Sequence, residues 1–78
     1  MSIGYYRTFL RVKSEYSASA VLFIYAADGR LVRRLSLDTS AGYADVPTTD
    51  LPVGHYVAKA QDEEGEVCAV KFVRNQFE

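Results

Sequence analysis

The sequence predicts an all-β fold, an antiparallel β-sandwich of six or seven strands, and three observations carry that expectation. Apolar residues recur with a period of two, no window sustains a helical period with caps at its ends, and turn residues separate the extended runs at intervals of roughly 8 to 12 residues. The 78 residues suit a single domain spanning 1–78, in which folding removes about 60% of the unfolded chain's surface from water.

The first extended segment runs from Tyr5 to Lys13, with Tyr6, Thr8, Leu10 and Val12 on one side and Tyr5, Arg7, Phe9, Arg11 and Lys13 on the other. After the polar turn Ser14–Ser19, the run Val21–Tyr25 is apolar on both faces, as in a central strand or one whose outer face is covered. Asp28-Gly29 predicts a type I' hairpin, since that turn needs positive φ at both central residues. In the return strand, Arg30 to about Leu37, Arg33 falls on the same face as Leu31, Leu35 and Leu37, and a β-bulge near Val32–Arg34 would repair the mismatch. Asp38–Gly42 reads as a loop, and Tyr43–Val46 as a short strand ended by Pro47. Pro52 and Gly54 shape a turn into a strand at His55–Gln61, with Tyr56, Ala58 and Ala60 on one face. Asp62–Gly65 is a four-residue hairpin loop, and the last strand, Glu66–Arg74, puts Cys68, Val70 and Phe72 together.

Composition narrows the function classes. Hydrophobic residues at 49% and aromatics at 13% are too many for a disordered chain. Nine basic against ten acidic residues leave a net charge of -1, without the basic excess a general nucleic-acid binder uses to displace counterions. A single cysteine and a single histidine offer neither an intrachain disulfide nor a metal-ligand set, so no cofactor is expected. The N-terminus lacks the pattern of a signal peptide. The longest apolar run, Ala20–Ala27, falls short of the roughly 18 to 20 residues that cross a bilayer, so direct membrane insertion is not expected.

Several groups have both a functional and a plainer reading. Arg30, Arg33 and Arg34, with Arg7 and Arg11, form a cationic groove for an acidic partner or phosphate, or they solvate and guard an exposed hairpin edge; the second is preferred. His55 and Asp50 beside Thr48 and Thr49 bring catalytic residue types together, but within one turn and with no oxyanion loop, so local turn hydrogen bonds are the expectation. Cys68 is expected to be a small buried residue rather than a reactive thiol. The carboxylates of Asp62–Glu66 lack calcium-loop alternation and are expected to be a solvated hairpin tip. Tyr5, Tyr6, Phe9, Phe23 and Tyr25 are more aromatic surface than one small sandwich hides; Tyr5, Phe9, Phe23 and Tyr25 are candidates for a docking face, or edge positions part-covered by their own loops.

Three segments in order, "VLFIYAADGRLVRRLSL", "DLPVGHYVAKAQDEEGEV" and "KFVRN", resemble the C-terminal sorting domain of cargo proteins exported by the type IX secretion system. On that resemblance Ile24 and Tyr25 match a strand end and Gly29 and Arg30 a turn. Leu51, Pro52, Gly54 and Tyr56 match a Leu-Pro-x-Gly-x-Tyr motif, Gly65 a hairpin glycine and Lys71 a terminal lysine. The match covers roughly Leu10–Asn75; a "YPNP"-like lead segment is absent, and Ala26 stands where aspartate is common. The resemblance implies an Ig-like sandwich with no catalytic role, which directs a cargo across the outer membrane to the cell surface or medium. Its partners would be the secretion machinery and a neighbouring cargo domain. The alternative expectation is a structural or adhesive Ig-like module of an extracellular protein, self-associating as a homodimer through its aromatic face.

Overall fold

A computed structural model describes residues 1–15 and 17–75. They form β1 (Ser2–Tyr6), β2 (Phe9–Lys13), β3 (Ser19–Ala26), β4 (Leu31–Asp38), β5 (Tyr43–Pro47), β6 (Gly54–Asp62) and β7 (Val67–Arg74), with no helix among the described residues. One sheet has the order β1-β2-β5 and the other β4-β3-β6-β7, every pairing antiparallel. The chain passes from the small sheet to the large one after β2, returns after β4 to lay β5 beside β2, and crosses again after β5. The result is an Ig-like β-sandwich with the expected fold class.

The core follows from the period-two pattern. Leu10 and Val12 of β2 face Leu22 and Ile24 of β3, and all four are fully buried. Within the large sheet Leu22 pairs with Ala60 and Ile24 with Ala58, so each bulky side chain lies beside a small one. That alternation lets the two sheets pack at interior density without overfilling the space between them. Val46, Leu51, Tyr56 and Phe72 complete the buried cluster.

The segment Tyr5–Lys13, read as one strand, is a hairpin. Tyr6 pairs with Phe9 around Arg7 and Thr8, the Thr8 N–H turns back onto the Tyr6 carbonyl, and Arg7 has φ 60. A left-handed arginine leaves no glycine or asparagine signature, so the turn is silent in the sequence. Tyr6 and Thr8, expected beside Leu10 and Val12, are instead exposed.

The Asp28-Gly29 hairpin exists, but its turn is not type I'. Gly29 has φ 87, whereas the only described non-glycine residue with positive φ is Arg7. The Gly29 N–H donates to the Ala26 carbonyl and the Ala26 N–H to the Arg30 carbonyl, both at 2.9 Å. That is a three-residue loop, a turn closed by a left-handed glycine. The β6–β7 hairpin repeats it: Gly65, φ 86, donates to Asp62, and Asp62 donates to Glu66. Its loop is therefore one residue shorter than expected. The register shift in β4 falls where expected: Ile24 pairs with Arg33 and Tyr25 with Leu31, leaving Val32 as the extra residue. The bulge turns Val32 onto the core and Leu31 out to 47% exposure.

Leu22→Ala should lower the unfolding free energy by about 2–5 kcal/mol through the cavity it leaves between the sheets. Gly65→Ala, which only strains a left-handed position, should cost about 1 kcal/mol. Urea unfolding of the two variants measures both, and equal costs would contradict this account of the core.

Candidate functional site

The Leu-Pro-x-Gly-x-Tyr segment builds the corner that joins β5 to β6. Leu51 drops into the core at 4% exposure, Gly54 begins β6, and the buried Tyr56 ring lies beneath the turn. The Tyr56 hydroxyl donates to the Pro52 carbonyl at 2.6 Å. This is the arrangement called a tyrosine corner in Ig-like sandwiches, where a tyrosine near the start of a strand bonds a carbonyl a few residues upstream. The spacing in the motif is thus explained by folding: the proline carbonyl is presented, the glycine lets the chain enter the strand, and the tyrosine closes the loop.

Other contacts fasten the same corner. Arg74 of β7 donates from Nε to the Thr48 carbonyl at 2.9 Å and from Nη2 to the Thr49 carbonyl at 3.1 Å. Arg33 of β4 donates to Asp50 at 2.9 Å. Tyr56 stacks on Phe72, 5.4 Å between centroids, and Phe72 on Tyr5 at 4.6 Å. The Tyr5 side chain therefore belongs to the packing around the core rather than to an outer face.

Three of the segments singled out in the sequence meet at this end of the sandwich. Arg30 lies with Pro52, Gly54 and Tyr56 around one shallow depression. Tyr56 also walls a second depression that includes His55 and Lys71, Lys71 being paired with Val57 across the β6–β7 ladder. Gly29 is in the adjoining hairpin. Gly65 is not part of this surface: its hairpin is at the opposite end, near the N-terminus, whose amino group bonds Glu66.

The other aromatic candidates part company as well. Phe9, on the outer face of the small sheet, stacks on Tyr6 at 5.4 Å. Phe23 and Tyr25, on the outer face of the large sheet, stack on each other at 6.4 Å. A single aromatic face does not form. The arginines likewise make no groove: Arg11 packs over Tyr43 on the small sheet, Arg33 holds the corner and Arg34 lies over Phe23. β4 is an edge strand, so its arginines do sit where charge guards against strand addition.

The residues around His55 form no nucleophilic set. Thr48 is fully buried and its hydroxyl has no hydrogen-bond partner, Asp50 is held by Arg33, and His55 is exposed. No group of three or more metal-ligating side chains occurs among the described residues. Cys68 is half-buried, and burial pushes its thiol above the ordinary range, away from the reactive thiolate.

Electrostatics at the surface are local. Arg11 and Asp45, cross-strand partners, form a two-point pair at 2.7 and 2.9 Å. The hydrogen bond from Arg11 holds the Asp45 carboxyl below its usual range, and the one from Arg33 does the same for Asp50. No family of known proteins, no characterised protein and no solved structure matches the chain.

Tyr56→Phe keeps the buried ring and removes only the hydroxyl that serves the Pro52 carbonyl, so it should cost about 1–3 kcal/mol in urea unfolding. Because Asp45 and Asp50 have lowered folded-state values, their pairs contribute above the ordinary carboxylate range and lose that contribution as pH falls through the folded values. The doubly substituted Asp45→Asn, Asp50→Asn chain should therefore show a flatter decline of melting temperature than the parent between about pH 5 and pH 2.

Proposed function

We propose that this chain is a non-catalytic Ig-like module that acts as a sorting signal, directing an attached cargo across the outer membrane by type IX secretion. The observation that supports it is the convergence at one end of Arg30, the Pro52–Tyr56 corner and Lys71, which are spread along the sequence from position 30 to position 71. Two of them, Arg30 and Lys71, are exposed charges that no ion pair among the described residues occupies. The folded end of the sandwich, rather than a linear peptide, would be what the export machinery reads. Tyr56 and Leu51 would then act indirectly, by shaping the corner.

A second reading, a structural or adhesive module of an extracellular protein, is favoured by one observation. The outer face of the large sheet carries Leu31, Tyr25 and Val57 side by side, Leu31 exposed and the other two half-buried, with no further layer of described residues over it.

The test is a fusion of a signal peptide and reporter to residues 1–78, expressed in a host with the type IX system. The reporter should reach the surface or medium, and the doubly substituted Arg30→Glu, Lys71→Glu fusion should be retained in the periplasm although its melting temperature is unchanged. Periplasmic retention of the folded parent fusion would exclude the sorting role and leave the structural reading.

A further inference from the structure

We infer that the outer face of the large sheet is a docking surface for an acidic amphipathic segment of a partner polypeptide. The inference does not rest on the export reading: the two surfaces adjoin and share Lys71, but this one is carried by β3 and by Arg34 and Lys59.

The ladder registers place the outward side chains in rows across the four strands. One row runs Leu31, Tyr25, Val57, Lys71, and the next runs Arg34, Phe23, Lys59, Ala69. Val67, at 51% exposure, and Val73, at 39%, extend the apolar surface along β7. β3 is thus apolar on both faces, buried on one by the sandwich and half-buried on the other, where no further layer of described residues lies over it. A sheet face of this composition is ordinarily packed against another layer of structure.

Charge selects what that layer is. The ionised side chains in the middle rows are all cationic: Arg34 lies 5.9 Å and Lys59 5.4 Å from the centre of the Phe23 ring, with Lys71 one row away. None has an ion-pair partner among the described residues. The chain's five aspartates are committed elsewhere, each accepting a hydrogen bond in a turn or from an arginine off this face. The small sheet is built differently, since its outward Arg11 is neutralised by Asp45 from the next strand. A chain of net charge -1 therefore places positive charge with no ion-pair partner among the described residues on an apolar sheet face.

That pattern disfavours a second copy laid face to face, which would oppose two faces that both carry Arg34, Lys59 and Lys71. It also disfavours nucleic-acid bases, which stack on open ring faces; here Phe23 is already covered by two cations and stacked on Tyr25. An acidic segment with an apolar stripe satisfies both components, its aliphatic side chains on Val57 and Tyr25 and its carboxylates on Arg34 and Lys59.

The isotope-labelled full chain, titrated in an NMR spectrometer, tests this directly. The probe is a peptide of about 14 residues whose leucines recur at helical spacing between glutamates. A counterpart carries lysines in place of the glutamates, and a uridine oligomer and phosphatidylglycerol vesicles complete the panel. The glutamate peptide should bind, shifting residues of β3, β6 and β7, and the doubly substituted Arg34→Glu, Lys59→Glu chain should bind it at least about tenfold more weakly. Lys13→Glu, on the other sheet, should leave the affinity unchanged. If charge reversal unfolds the chain, Arg34→Gln with Lys59→Gln replaces it and should still weaken binding. Failure of the glutamate peptide to bind, equal binding of the lysine peptide, tighter binding of the oligomer or vesicles, or an equal loss on Lys13→Glu would each overturn the inference. Lys71 is untouched in these variants, so failure here leaves the export reading standing.

Discussion

The hydroxyl of Tyr56 on the carbonyl of Pro52 is the constraint on which the rest of the sandwich depends. It lies at the last place where the chain changes sheets, after β5 has paired with β2 and before β6 enters beside β3. From that corner β6 enters the centre of the large sheet, paired with β3 on one side and β7 on the other. The surrounding contacts are arranged about the same point. Arg74 reaches from β7 to two corner carbonyls, Arg33 from β4 to Asp50, and Phe72 stacks between Tyr56 and Tyr5. Elements distant in sequence, β4, β7 and β1, are thereby tied to the short connection between β5 and β6.

The same corner separates two roles that the Leu-Pro-x-Gly-x-Tyr motif combines. Leu51 and Tyr56 are buried, and their identities answer to packing and to one hydrogen bond. Arg30 and Lys71 are exposed and in no ion pair among the described residues. Any recognition of this end by a partner must therefore read the exposed charges and the shape of the turn, while the motif's buried residues hold that shape. The motif by itself identifies a way of building a sandwich, and a function must be argued from what surrounds it.

The two outer faces show how similar compositions reach opposite states. The small sheet carries Tyr6, Phe9 and Tyr43 around Arg11, whose charge is answered by Asp45, so the face is complete in itself. The large sheet carries Phe23 and Tyr25 with Arg34 and Lys59, and no carboxylate among the described residues pairs with either cation. The difference arises from register alone, since it depends on which residue of the adjacent strand stands opposite each cation.

Alternation in Val21–Tyr25, His55–Gln61 and Glu66–Arg74 was enough to determine the strands, the residues that share a face and the sandwich class, because side-chain direction in a strand is set locally. The register shift falls where Arg33 suggested one, but it turns Leu31 outward and leaves Arg33 on the side of Leu35 and Leu37, where Asp50 answers its charge. The Arg7–Thr8 turn was illegible, as a left-handed arginine carries no local signal, and Asp28-Gly29 announced a turn without its type, because one loop residue more or less depends on the strands it joins. Only the tertiary structure decided that Tyr5 packs on Phe72 while Phe23 and Tyr25 face outward, that the arginines divide among three surfaces, and that Arg30, Pro52, Tyr56 and Lys71 come to one end while Gly65 goes to the other. Those placements follow from strand order and register between segments tens of residues apart, which the local pattern of a chain does not contain.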